Sequence, residues 1–203
     1  MQADLEAVRP GSVFLVEGDL LDPHAISWVV YETIRHYGRL DALVNNASSF
    51  FPTLLDEIDE AHWSDLIGTN LKAPLFLAKA AATELRINHG AIVNIVDIHA
   101  ERPLHGHLLY NVAKAGLAGL TRALAQELAP HVRVNGVSPG IIAWPVHADW
   151  GDEMRRNQIV DHTLLKREGE PDDIAKTVQF LLNHAPYITG QIISVDGGRS
   201  INL

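Results

Sequence analysis

The chain has 203 residues, 47 % of them hydrophobic, which suffices for one well-packed core and leaves no room for a multidomain arrangement. Sixteen basic residues against 25 acidic ones give a formal net charge of −9 with no basic block, so neither nucleic acid nor an anionic membrane is an expected partner. With no cysteine there are no disulfides or thiolate sites, and with no run of 18 apolar residues and no signal-like opening, a soluble cytoplasmic protein is expected.

Residues 2–9 read as the tail of an amphipathic helix stopped by Pro10-Gly11. Ser12 to Val16 is a short β-rich run ending at Glu17-Gly18-Asp19, and His24 to Tyr37 reads as a helix closed by Gly38. Leu40 to Val44 is the next apolar strand. A long helical segment around Trp63 to Arg86 follows, then strand Ala91 to Val96, helix Leu108 to Ala129 and strand Val132 to Val137. A helix over Pro171 to Asn183 precedes a last strand, Gln191 to Val195. Alternating helices and uniformly apolar strands predict an α/β fold with a parallel sheet covered on both faces. The Leu108 to Ala129 helix carries Leu117, Leu120, Leu124 and Leu128 over more than one stripe, which predicts a second buried face and hence subunit contact.

The chemistry concentrates between Asp97 and Lys114. Tyr110 and Lys114 stand one helical turn apart on one face, where an ammonium would favour the phenolate and pull its pKa toward the working range. Such a pair alone is common on helix surfaces. Here a carboxylate, Asp97, lies thirteen residues earlier at a strand end, where α/β sheets place functional groups. Eleven histidines, His105 and His107 among them, invite a metal reading, but without cysteine or suitably spaced carboxylates none is expected.

Asn45-Asn46-Ala47, Tyr110-x3-Lys114, Pro139-Gly140 and Asp196-Gly197-Gly198 together resemble the short-chain dehydrogenase/reductase family over nearly the whole chain. Two departures narrow the likeness. The family's usual serine is Asp97 here, and Asn-Asn-Ala-Gly reads Asn45-Asn46-Ala47-Ser48-Ser49-Phe50; both are what the pteridine reductases carry. The resemblance implies a Rossmann-like, doubly wound parallel sheet with helices on both faces, NADPH as cofactor, a small-molecule pterin as substrate, and a homo-oligomer, dimer or tetramer. It makes Tyr110, Lys114, Asn70 and Asp97 catalytic, with Asn70 supporting a proton relay through Lys114. Cofactor contacts would come from Asp19-Leu20 at the adenine, from Asn46, Ala47 and Ser48, from Tyr110 and Lys114, and from Pro139-Gly140 at the carboxamide. Substrate contacts would come from Ser48, Asp97, Tyr110 and Phe50, the last stacking the flat ring. Residues 141–151, with Trp144, Pro145 and Trp150, would form a flap.

A dinucleotide fold opens with strand, glycine-rich turn and helix, and no such turn sits at the front of this chain. The expectation is an N-terminally truncated domain with the first βαβ unit missing and a strand at Val13 to Val16 orphaned beside a long sheet edge. A misplaced start or artificial boundary, an inactive fragment, and re-pairing across an oligomer remain open as reasons. The expected activity is NADPH-dependent reduction of a pterin C=N bond. The alternatives are a reductase of another carbonyl or enone, and an inert or assembly partner that binds no cofactor.

Overall fold

The computed structural model describes residues 2–142 and 153–202. Its frame is a four-stranded parallel sheet, β1 (Ala42–Asn45), β2 (Ala91–Ile95), β3 (Arg133–Pro139) and β4 (Ile192–Val195), paired in sequence order. The register sets Asn45 against Asn94, Asn94 against Gly136, and Pro139 against Val195, so all four strands end along one edge. Each crossover carries helix: α3 (Glu60–Ile67) and α4 (Ala73–Ile87), then α5 (Leu108–Leu128), then α6 (Glu153–Asp161) and α7 (Pro171–Asn183). Two further helices, α1 (Gln2–Val8) and α2 (Pro23–Tyr37), precede β1.

Alternation along the strands assigns the two faces. Ile92 and Val134 point into a core shared with α2, α4 and α5, built on Val30, Leu77, Leu85 and Leu128. Val93 and Val137 point the other way, into a cluster with Leu181, Ile174 and Val178 of α7. Helices therefore cover both faces, as the sequence predicts. Local signals set the helix ends. Asp22 caps α2 by accepting from His24 N at 2.8 Å, Pro23 stands in its first turn, and Gly38 closes it at φ +75°. Arg133, at the start of β3, donates to the carbonyls of Leu181, Leu182 and Ala185 and so ties the C-terminal end of α7 to the sheet.

Three expectations need correction. Ser12 to Val16 is no strand: among the described residues no neighbouring strand offers it a ladder. It runs instead against α2, where Phe14 stacks on His36 at 4.1 Å and Tyr37 Oη donates to Ser12 O. The long helix from Trp63 to Arg86 is two helices joined by a π-helical turn, Gly68–Lys72, in which Ala73 N bonds back to Gly68 O. Pro74, lacking an N–H, forces that adjustment and stands in the first turn of α4. The leucines predicted to form a second face for a partner, Leu117, Leu120, Leu124 and Leu128, pack instead against the chain's own core, Leu120 and Leu124 only in part, because α5 lies beside α4 and covers β3. Exposed large apolar residues on these helices include Leu108 and Val112 on α5 and Leu75, Phe76 and Ile87 on α4. No helix among the described residues is long and apolar enough to cross a membrane.

Candidate active site

The parallel sheet delivers three loops to its carboxyl edge: residues 46–54 after β1, the segment from Asp97 after β2, and Gly140 after β3. Helix α5 passes beneath them with Tyr110 and Lys114 one turn apart, both buried. The Tyr110 hydroxyl donates to Asp97 Oδ2 at 2.7 Å, and Asp97 Oδ1 accepts from His99 N at 2.8 Å, which starts the 3-10 turn Ile98–Ala100. One carboxylate thus both caps its own loop and holds the phenol.

The electrostatics differ from the expected phenolate. Burial first, and then the negative charge of Asp97 and the hydrogen bond to it, push the Tyr110 phenol well above its ordinary value. A hydrogen bond with Ser48 works weakly in the opposite direction. Lys114 is lowered to about 8 by burial, partly offset by the attraction of Asp97. Its Nζ donates to Ile95 O at 2.9 Å and stands 5.6 Å from the centre of the Tyr110 ring. The ammonium therefore reaches the face of the tyrosine while Asp97 takes the hydroxyl.

Ser48 and Asn70 come together as well, but in a way the sequence does not show. Ser48 Oγ donates to Asn70 Oδ1 at 2.6 Å, and Asn70 Nδ2 donates to Ser49 O and Leu66 O. Buried in the π-turn, Asn70 fastens the Ser48-Ser49 loop over α3; among the described residues no hydrogen bond joins it to Lys114. Phe50 sits 4.8 Å from the Tyr110 ring in an edge-to-face contact. Its ring is also stacked on His107 at 4.7 Å, so part of the flat shelf already has an aromatic cover. His107 is mostly buried, and that burial lowers its pKa. Thr53 anchors the same loop by accepting from Leu109 N while its own N donates to Gly106 O.

The remaining predicted residues divide. Asn46 and Ala47 are exposed where β1 ends, leading directly into Ser48. Pro139 ends β3, and Gly140 N donates to Val195 O, with the Gly140 Cα pressed so closely on Asp196 that a Cβ would meet its backbone at 2.7 Å. Asp19 and Leu20 stand apart from this group. The Asp19 carboxylate accepts from Leu21 N in its own turn, and Leu20 packs on the core of α2 and α4. Residues 143–152, which hold Trp144, Pro145, Trp150 and so most of the predicted flap, lie outside the described residues. Among the described residues no group of three metal-ligating side chains converges.

Two participants escape the sequence reading. His107 has only the His105-Gly106-His107 pattern to mark it, which suggests metal rather than stacking. Arg199 follows the Asp196-Gly197-Gly198 turn, half-buried with its Nε lacking an acceptor among the described residues; no periodic signal marks it.

A family model described as Enoyl-(Acyl carrier protein) reductase matches residues 2–200. The chain is 36 % identical over 245 aligned positions to pteridine reductase 1 of Leishmania tarentolae, covering 99 % of this chain and 83 % of that protein. It is equally 36 % identical over 202 positions to 3-oxoacyl-(acyl-carrier-protein) reductase FabG of Staphylococcus aureus, covering 97 % and 82 %. Among solved structures, an apo SCOR enzyme from Clostridium thermocellum superposes with a TM-score of 0.84 at 32 % identity, covering 99 % of this chain and 79 % of that one.

Proposed function

This chain belongs to the short-chain dehydrogenase/reductase family, and we propose that its substrate is a pterin whose C=N bond is reduced with NADPH. The observation that carries this reading is the 2.7 Å hydrogen bond from Tyr110 to Asp97 beside Phe50. A serine at position 97, the family's usual residue, orients a carbonyl. A carboxyl group paired with a phenol shares a proton that it can pass to a ring nitrogen, which a C=N reduction requires.

A reduced nicotinamide, when bound, supplies the hydride. The residues present fit the nicotinamide half of such a cofactor. Lys114 spends one donor on Ile95 O and keeps N–H groups for ribose hydroxyls, while Asn46 and Ala47 stand exposed at the tip of β1 and Gly140 follows β3 at the same edge. Asp19 spends Oδ1 on Leu21 N and keeps Oδ2 to accept from an adenine amine. Phe50 orients the flat substrate with the face that His107 leaves open, and Ser48, held by Asn70, meets its edge next to Tyr110. Two electrons and one proton from the cofactor, as hydride, and one proton from the Tyr110–Asp97 pair complete the reduction. The exposed Leu75, Phe76, Leu108 and Val112 support assembly into a homo-oligomer, dimer or tetramer.

The equal likeness to FabG favours a second reading, reduction of a 3-oxoacyl thioester ketone. NADPH oxidation at 340 nm with a 7,8-dihydropterin, set against an acetoacetyl thioester, separates the two. Turnover of the pterin that disappears in Tyr110→Phe supports the first reading, and turnover of the thioester alone replaces it. A fluorescence titration with NADPH tests the third possibility, a chain that binds no cofactor; saturable micromolar binding removes it.

A further inference from the structure

Between the turn that follows β2 and the C-terminal turn that follows β4 lies a chamber of about 30 Å³ walled by Asp97, Glu101, Ser138, Ser194 and Ser200. Its place follows from the sheet. Ser138 and Ser194 stand side by side in the register of β3 and β4, on the face where Ile192 packs with Val96 and Ala118 of α5. The outer wall is tethered twice. Asp196 folds the C-terminal turn by accepting from Gly198 N at 2.9 Å and from Ser200 N at 2.8 Å, and Arg102 donates from Nε to Ser200 O at 3.3 Å. The lining runs from exposed Glu101 and Ser194 to half-buried Asp97 and buried Ser138, and so from solvent to the reaction centre.

Two groups in this wall have hydrogen-bonding capacity to spare. Ser138 is 5 % exposed, and among the described residues no protein group hydrogen-bonds its hydroxyl. A buried hydroxyl without a partner costs free energy, which a bound water removes. Asp97 accepts one hydrogen bond at each oxygen, from His99 N and from the Tyr110 hydroxyl, and each oxygen has a second lone pair. The chamber exceeds the ~10–15 Å³ that one water needs, and its wall offers polar partners of the kind such waters use. Asn70, by contrast, has its amide committed to Ser48, Ser49 O and Leu66 O.

We propose that this chamber is a water site that joins Asp97 to solvent beside Ser138, and that it returns the proton which each turnover takes from the Tyr110–Asp97 pair. The balance is one proton per cycle. The substrate takes it from the pair, the chamber water passes one to Asp97, and the solvent side replaces it, so that only O–H bonds form and break in the return. The inference rests on the reading of Tyr110 and Asp97 as the proton source and not on the identity of the substrate.

Ser138→Val tests it on the full chain: the side chain suits a strand, and its extra methyl takes the space of the water. Ser138→Ala removes the hydroxyl and keeps the space. A crystal structure of the parent is expected to show ordered water within hydrogen-bonding distance of both Ser138 Oγ and an Asp97 oxygen, and that of Ser138→Val to lose it while the Tyr110–Asp97 bond stays. Water bonded to only one of the two, or to neither, overturns the proposal. With whichever substrate is reduced, Ser138→Val should lower kcat about tenfold at unchanged KM, a part of what a positioned acid-base group supplies. The solvent deuterium effect on kcat should then rise and the effect of 4-deuterated NADPH shrink, because proton return limits the cycle; Ser138→Ala falls between. A lower kcat with both isotope effects as in the parent means that Ser138 merely supports the Asp97 turn, and it overturns the proposal, as does an unchanged kcat. If Ser138→Val does not fold, Ser138→Ala carries the same two isotope readings. A parent that reduces no substrate counts against the functional reading alone, and the water position then decides.

Discussion

Tyr110 gives its hydroxyl hydrogen to Asp97 Oδ2 over 2.7 Å, so the group placed to act as an acid rests on a carboxylate and not on the nearby ammonium. Burial and that carboxylate together hold the phenol protonated far into alkali. An alkaline titration followed at 295 nm should therefore give the same phenolate amplitude for the parent and for Tyr110→Phe until the protein unfolds. Asp97→Asn lowers the Tyr110 ionisation but does not restore the ordinary value, since burial is the larger cause. An amplitude one phenol smaller in Tyr110→Phe at a pH where both are folded would sink this account.

Lys114 makes the opposite statement about stability. Its folded pKa of about 8 lies below the ordinary lysine value of 10.5, so the unfolded chain binds the extra proton between those two limits. This residue's contribution to stability therefore rises with pH across that window and is least favourable below about pH 8. Lys114→Met removes the buried charge, and although it leaves Ile95 O without its donor, the desolvation it relieves is the larger effect. The variant should be inactive yet melt a few degrees higher at pH 7, on the scale of roughly 2–4 °C per kcal/mol for a chain of this length. Melting curves at pH 7 and pH 10 check both parts: the gain must shrink at the higher pH.

The sheet and the tyrosine, lysine and aspartate were legible in the sequence because each rests on a local pattern. Apolar runs such as Ala91 to Val96 and the four-residue spacing from Tyr110 to Lys114 need no distant partner to be recognised. What could not be read depends on neighbours remote in sequence. Ser12 to Val16 has the composition of a strand, but a ladder needs a second strand, and the segment settles on α2 instead. Asn70 was recognisable as important, yet its partner Ser48 lies 22 residues away and the π-turn that aims it arises from Pro74 downstream. Arg102 and Ser200, joined by a hydrogen bond of 3.3 Å, are brought together by the parallel order of β2, β3 and β4, a topological fact without a local signature.

Phe50 should separate binding from stability. Its ring contacts Tyr110 and His107 and packs with Leu66 and Leu109, so Phe50→Ala loses both a stacking surface and core contacts. Phe50→Leu keeps most of the apolar volume and loses the flat face. The leucine variant should melt near the parent while its pterin KM rises roughly tenfold or more, the scale of ~1–3 kcal/mol for an aromatic stack. Steady-state kinetics beside a melting curve decide the matter; an unchanged KM would mean that the ring belongs to the core and the substrate binds elsewhere.

The most discriminating substitution is Asp97→Ser, which restores the family's usual side chain. A serine offers a single, shorter-reaching oxygen where two separate carboxylate oxygens hold His99 N and the Tyr110 hydroxyl, and it carries no charge to raise the phenol. Tyr110 then becomes a stronger acid, suited to a carbonyl oxygen, while the carboxyl group that shares a proton with a ring nitrogen is gone. Pterin kcat/KM should fall by about 10²–10⁴, the range supplied by a positioned acid-base group, while turnover of a 3-oxoacyl thioester rises or first appears. Competing the two substrates against one variant preparation cancels errors in active fraction. A parallel fall for both would assign Asp97 to loop architecture, since His99 N and the turn it caps would then be the common loss.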